Sequence, residues 1–225
     1  MTADTPEAAD EARIQSDVLK MLARDVRMHG AEITAAVSGN IVRLTGSLPS
    51  YTARKAAEHT ALHVAGVQAV ENDLRIVPKT PTPPSDAEIQ AHIKDALLWS
   101  PDIDPSDVGI LVQNGGVQLE GTVTTYAEKT AAEEIAGRVT GVQDIVDHMA
   151  VVPTQRVSDR AIAQNVQEAL TLHPEMDLEN IDVEVSDGLV TLAGAVPTRT
   201  LYDAALDATR YTRGVINIED KIVIG

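Results

Sequence analysis

The sequence predicts an α+β protein of three tandem αββαβ units, each a small three-stranded sheet with two helices on one face. The first observation behind this is an internal repeat. Gly46, Gly121 and Gly194 each follow a short aliphatic strand pattern ending at Leu44, Leu119 and Leu192. Each is followed 20 residues later by a glycine before a valine: Gly66-Val67, Gly141-Val142 and Gly214-Val215. The offsets of 75 and 73 also superimpose Ile14, Ile89 and Ile162, then Val18, Ile93 and Val166, then Leu22, Leu97 and Leu170, then Ile33, Val108 and Ile181, without a gap. The second observation is composition: 225 residues with no Phe, no Cys, one Trp and four Tyr. A core without bulky aromatics must be aliphatic and thin, which suits several small units better than one large one.

The third copy displays the elements in order. Ser158-Asp159 reads as an N-cap, and Ile162, Val166 and Leu170 recur at helical spacing to give one apolar face. Pro174 stops that helix. Ile181, Val183 and Val185 alternate as a half-buried strand, and Asp187-Gly188 is a two-residue hairpin turn with positive φ available. Leu189, Val190 and Leu192 form the return strand. Pro197 opens a second helix through about Thr212, closed by Gly214 as a C-cap glycine. Ile216, Ile218, Ile222 and Ile224 lie in a final strand. The second helix carries small residues at matching places, Ala57, Ala132 and Ala205, then Ala61, Ala136 and Thr209. An alanine face lets a helix sit close on a sheet, which is how a unit forms a core without Phe.

The units are expected at residues 10–77, 85–152 and 158–225, with a flexible N-terminus at 1–9. Pro78, Pro81, Pro83 and Pro84 make 78–84 a stiff linker, and 153–157 is a shorter one. Units of about 65 residues are marginal alone, so neighbouring copies or other chains are expected to cover part of each.

The αββαβ order, the Asp-Gly-Leu-Val-Thr-Leu-Ala-Gly segment at 187–194, and Gly-Val followed by Asn72 or Asp147 before a last aliphatic strand resemble the BON domain (bacterial OsmY and nodulation). The resemblance covers nearly the whole chain, and its hallmark glycines are Gly46, Gly66, Gly121, Gly141, Gly194 and Gly214. It implies a non-catalytic bacterial module associated with osmotic and envelope stress, with phospholipid or membrane-surface association proposed for several members. Many members are periplasmic or lipid-anchored. Here the acidic, polar stretch Met1 to Asp10 lacks the basic start and apolar run of a secretory signal, and there is no lipobox cysteine. The chain as written is therefore expected in the cytoplasm, or in the periplasm if numbering starts at a processed or engineered N-terminus.

No Gly-x-Ser-x-Gly, phosphate loop or dinucleotide fingerprint occurs, so no enzyme activity and no cofactor are expected. His59 and His63 stand at i and i+4, spacing that could hold a metal, but no third ligand is evident, and two solvated histidines with no metal are expected. Asp102, Asp104 and Asp107 lack the glycine and terminal glutamate of a calcium loop, and Glu175, Asp177 and Glu179 recur nearby in the third copy. An acidic solvated loop is expected at both places.

The formal charge of −16 argues against nucleic acid as a partner. Residues 1–79 hold nine basic and ten acidic side chains, residues 80–157 four and twelve, and residues 158–225 five and twelve, so the first unit is nearly neutral and the others strongly acidic. On the first helix of the first unit Arg13, Lys20, Arg24 and Arg27 are expected to form one stripe opposite the Ile14, Val18, Leu22 face. It is either an ordinary solvated face or a docking surface for an anionic lipid layer or for an acidic unit of another copy. Trp99, aligned with Arg24 and Leu172 beyond the Leu97 core position, either packs under the following loop or between units, or presents its indole to a bilayer interface or ligand. With the resemblance, the basic stripe predicts a binding module at a membrane surface or envelope component; the alternative is a homo-oligomeric stress-response scaffold assembled through complementary charge.

Overall fold

The computed structural model describes residues 6–78, 82–173, 175–177 and 180–225, the side chains of Pro6 and Glu7 excepted. Within them the expected element order recurs three times. Repeat 1 is α1 (Pro6–Arg24), β1 (Ile33–Ser38), β2 (Ile41–Leu48), α2 (Tyr51–Leu62) and β3 (Ala69–Ile76). Repeat 2 is α3 (Asp86–Leu98), β4 (Val108–Gln113), β5 (Gly116–Val123), α4 (Tyr126–Gly137), β6 (Asp144–Asp147) and β7 (Ala150–Val151). Repeat 3 is α5 (Asp159–Thr171), β8 (Ile181–Ser186), β9 (Leu189–Val196), α6 (Arg199–Arg210) and β10 (Asn217–Ile224).

The middle strand of each sheet is the second in sequence: it pairs antiparallel with the first and parallel with the last. A tight turn makes the antiparallel step, whereas the parallel step needs a crossover, which the second helix provides. Gly39, at φ 58°, opens the first hairpin turn, while Asn114-Gly115 (φ 51° and 76°) and Asp187-Gly188 (φ 52° and 78°) both adopt the left-handed pair of a type I′ turn. The first and third of these turns are also clamped from the first helix. Glu11 accepts from the Gly39 N–H at 2.7 Å, and Asp159 accepts from the Asp187 and Gly188 N–H groups at 3.0 Å each. Replacing Asp159 with Ala is expected to cost about 1–3 kcal/mol by leaving both amides without their carboxylate; the urea midpoint should fall while the m-value holds.

Alternation along the strands decides the layers. In β2, Val42, Leu44 and Leu48 are buried while Ile41 and Arg43 are exposed; in β9, Val190, Leu192 and Val196 are buried. The helices cover that one face. Ile14, Val18 and Leu22 of α1 join a core with Ala53, Ala57 and Ala61 of α2, and Ile162, Val166 and Leu170 of α5 join one with Leu201 and Ala205 of α6. Ala57, Ala61, Ala132, Ala136, Ala205 and Thr209 are all fully buried. Thr209 satisfies its hydroxyl by donating to the Ala205 carbonyl at 2.9 Å, one turn back.

Four details correct the sequence reading. Helix α1 begins at Pro6, so residues 6–9 of the expected flexible terminus are helical, in keeping with proline at a first helical position followed by Glu7, Ala8 and Ala9. Pro197 lies ahead of the second helix of repeat 3, because the Thr198 side chain accepts from the Leu201 N–H and is the cap. That helix ends at Arg210, so Gly214 is no C-cap; it sits in the turn that follows. The last strand of repeat 2 is interrupted. Asp147 takes the Met149 N–H at 2.7 Å and Lys129 donates to the Met149 carbonyl at 2.6 Å, which separates β6 from β7 and gives that sheet a fourth strand. Ser158 caps α5 as expected, accepting from the Ala161 N–H. Pro174, Pro81 and Glu179 lie outside the described residues.

By compactness the chain divides into two bodies, residues up to Ile89 with Gly137–Asp144, and Gln90–Ala136 with Ile145–Gly225. In the first, Arg54 of repeat 1 donates to Asp144 of repeat 2 at 2.9 Å. In the second, Tyr126 of repeat 2 packs against the repeat 3 core, and burial pushes its phenol pKa up. Consecutive repeats therefore touch within each body.

Candidate functional site

The hallmark glycines build the fold. Gly46, Gly121 and Gly194 have φ of 131°, 112° and 132°, and a Cβ at each would sit 2.0, 1.9 and 1.9 Å from the backbone oxygens of Glu32, Asp107 and Asn180. The central strand crosses the start of the first strand too closely for any side chain. Gly66, Gly141 and Gly214 let the turn before the last strand lie on the first helix: a Cβ would meet Ile14 Cδ1 at 3.0 Å, Ile89 Cδ1 at 2.8 Å and Ile162 Cγ1 at 3.0 Å.

The Asn/Asp of the last strand is a second repeated device. Asn72, Asp147 and Asp220 each accept, through the side chain, from the N–H two residues on: Leu74, Met149 and Ile222. The second helix reaches the same residue each time. Asn72 donates to the Arg54 carbonyl at 3.2 Å, Lys129 lies 3.8 Å from Asp147, and the Tyr202 hydroxyl donates to Asp220. Arg199 stacks on the Tyr202 ring at 4.1 Å while pairing with Asp203 at 3.2 Å. Burial first, then the bond to Asp220, pushes the Tyr202 pKa up to about 12. Tyrosine is favoured in its protonated form by folding, so this contribution is whole below the unfolded value near 10 and fades as pH rises through about 12. Phenolate absorbance should show one tyrosine titrating near 12, and that step should vanish in Tyr202→Phe.

The stripe of repeat 1 is locally neutralised. Arg13 pairs with Asp10 at 3.5 Å, Lys20 with Asp17 at 3.2 Å and Arg27 with Asp25 at 2.5 Å. Hydrogen bonding from the Arg27 side chain holds the Asp25 carboxyl below its usual range. Arg27 is not on the first helix as expected: α1 ends at Arg24, and Asp25 accepts from the Arg27 N–H to start the 3-10 turn Val26–Met28. Arg24 lies in the last turn of α1. The Asp102, Asp104, Asp107 group is likewise a turn: Asp104 accepts from the Ser106 N–H at 3.0 Å and hydroxyl at 2.5 Å, and the hydroxyl bond leads in lowering its pKa. The His59 and His63 rings lie 4.3 Å apart, and His63 Nδ1 is 2.8 Å from the His59 carbonyl oxygen.

Trp99 is exposed. The residue is 86% exposed just beyond α3, beside Leu98 at 66%. The same place in repeat 3 holds Leu172 at 79%, and in repeat 1 the following turn holds Val26 at 86%. All three repeats thus end their first helix in an uncovered apolar tip. The tips other than Trp99 escape a sequence reading, although Leu98 carries a signal: it breaks the Ile89, Ile93, Leu97 spacing and falls off the core face.

The comparison that decides the family is with the BON domain. The model of the BON domain matches residues 10–78, 85–153 and 158–225. The chain belongs to the BON domain family. Over 61% of its length it is similar to Osmotically-inducible protein Y of Escherichia coli, at 25% identity and over 71% of that protein. Outer membrane lipoprotein DolP of Haemophilus influenzae is 27% identical over 61% of this chain and 72% of its own. The 21 kDa hemolysin of Actinobacillus pleuropneumoniae gives the same 27%, 61% and 72%. The contacts of these glycines are chiefly to backbone and core atoms, and each Asn/Asp bonds the backbone N–H two residues on while a residue of the second helix reaches it.

Proposed function

We propose that this triple-BON chain is a non-enzymatic, stress-associated module that attaches peripherally to a membrane surface through the apolar tip of repeat 2. The exposed Trp99 beside exposed Leu98 carries the reading. An indole with an apolar body and a polar N–H suits the bilayer interface, and no described helix is long and apolar enough to cross a membrane. The relative named as an outer membrane lipoprotein supports an envelope setting in place of the cytoplasmic one expected from Met1 to Asp10, and the relative named for osmotic induction supports the association with stress. Apolar contact is the driving term. Repeat 2 is strongly acidic, and three of the four stripe cations of repeat 1 are already held by their own acids. That local pairing also weakens the alternative of assembly through complementary charge.

Vesicle flotation tests this. Wild type should float with vesicles, Leu98→Ser/Trp99→Ser should lose about tenfold or more in partitioning, and Arg13→Glu/Lys20→Glu/Arg24→Glu should stay within about twofold of wild type. Loss of binding in the triple glutamate variant alone would move the contact to repeat 1.

A further inference from the structure

The three repeats differ at one place on the outer edge of the hairpin. Gln15 Nε2 donates to the Ala35 carbonyl at 2.5 Å, and Gln90 Nε2 to the Ile110 carbonyl at 2.5 Å. These carbonyls hold the same register position and point away from the central strand, so each glutamine blunts an edge that would otherwise offer a free acceptor. In repeat 3 the glutamine's place is Ala163 and the carbonyl's is Val183. Strand β8 is the edge of its sheet, with Ser186 closing the two-residue turn opposite Leu189. Ser186, Glu184 and Asp182 therefore pair with β9, and Val183 and Val185 turn their N–H and C=O groups outward. Among the described residues, no side chain bonds to those outward groups.

Beside this edge a groove of about 370 Å³ opens against α5, floored by Leu170, Ile181 and Val183 and walled by Gln164, Gln167 and Glu168. Asp182 and Glu184 stand exposed on the opposite face of the strand, in a repeat with five basic and twelve acidic side chains.

We propose that β8 accepts an added strand from a partner protein: an extended segment alternating basic and aliphatic residues. Its backbone pairs with Val183 and Val185. Because side chains alternate between faces, one set falls over the Leu170, Ile181, Val183 floor and the other beside Asp182 and Glu184, which demands aliphatic and cationic residues in turn. A second copy is the poorer occupant, since pairing β8 with β8 sets acid against acid across the new ladder.

The test uses the whole chain and a labelled peptide of alternating lysine and valine. Anisotropy should rise at low salt and fall with added salt, and the Val183 and Val185 amides should gain protection from hydrogen exchange. Ala163→Gln, which installs the brace of the other repeats, should weaken binding by about tenfold, and a glutamate-valine peptide should not bind. The proposal is overturned by absence of binding, by equal binding to Ala163→Gln without protection at Val183 and Val185, or by a dimer paired through β8 before peptide is added.

Discussion

Gly194→Ala is expected to abolish the cooperative folding of repeat 3. The new methyl group would lie 1.9 Å from Asn180 O and 3.1 Å from Ile181 Cα, both backbone atoms, at a φ of 132° that side chains rarely adopt. Nothing flexible can yield, so relief means parting the start of β8 from β9. A loss above about 4–5 kcal/mol is reserved for such cases. Stability of about 0.1 kcal/mol per residue leaves a repeat of this size little more than that. Gly30→Ala is the control: φ is positive there too, at 76°, but a Cβ meets nothing within 4 Å, so the cost should stay near 1 kcal/mol. Thermal unfolding with amide exchange distinguishes them. A Gly194→Ala protein with native exchange protection across β8 and β9 would contradict the account.

Ala132→Leu should have the second largest effect, about 3 kcal/mol, at the upper end of overpacking penalties. Helix α4 crosses between β5 and the parallel strands that follow, and Ala132 and Ala136 are fully buried. An isobutyl group at Ala132 must either lift the helix off the sheet or leave its rotamer. Glu134→Leu, on the exposed side of the same helix, should change stability by less than about 0.5 kcal/mol. Urea midpoints for the two variants give the comparison. Near-equal midpoints would mean that alanine is incidental to how these units close.

Most of the architecture was legible because the repeat supplies three readings of each position. The alternation at Ile181, Val183 and Val185, the Asp187-Gly188 turn and the Ile162, Val166, Leu170 face each follow from periods of two and 3.6. Gly214 was legible as essential and misread in role: spacing alone cannot separate a C-cap from a turn pressed onto Val157 and Ile162. The break between β6 and β7 was hidden because Asp147 aligns with Asn72 and Asp220, whose strands run on, while the Lys129 bond to the Met149 carbonyl belongs to repeat 2. The stripe at Arg13, Lys20 and Arg27 was visible in the helical projection, but its pairing with Asp10, Asp17 and Asp25 depends on rotamers. Trp99 could be placed at a helix end, yet only the fold decides whether the following turn covers it. The Gln15 and Gln90 braces, and their absence at Ala163, need the edge carbonyls in view.

The most direct test of the membrane-tip assignment uses the single tryptophan of the chain as its own reporter. Wild-type protein is titrated with vesicles whose acyl chains carry bromine, in parallel with unbrominated vesicles, and Trp99 emission is followed. The assignment predicts a blue shift with both and quenching with the brominated lipid alone, as the 86% exposed indole enters the interface. Emission that neither shifts nor quenches, while the protein remains folded, would contradict it.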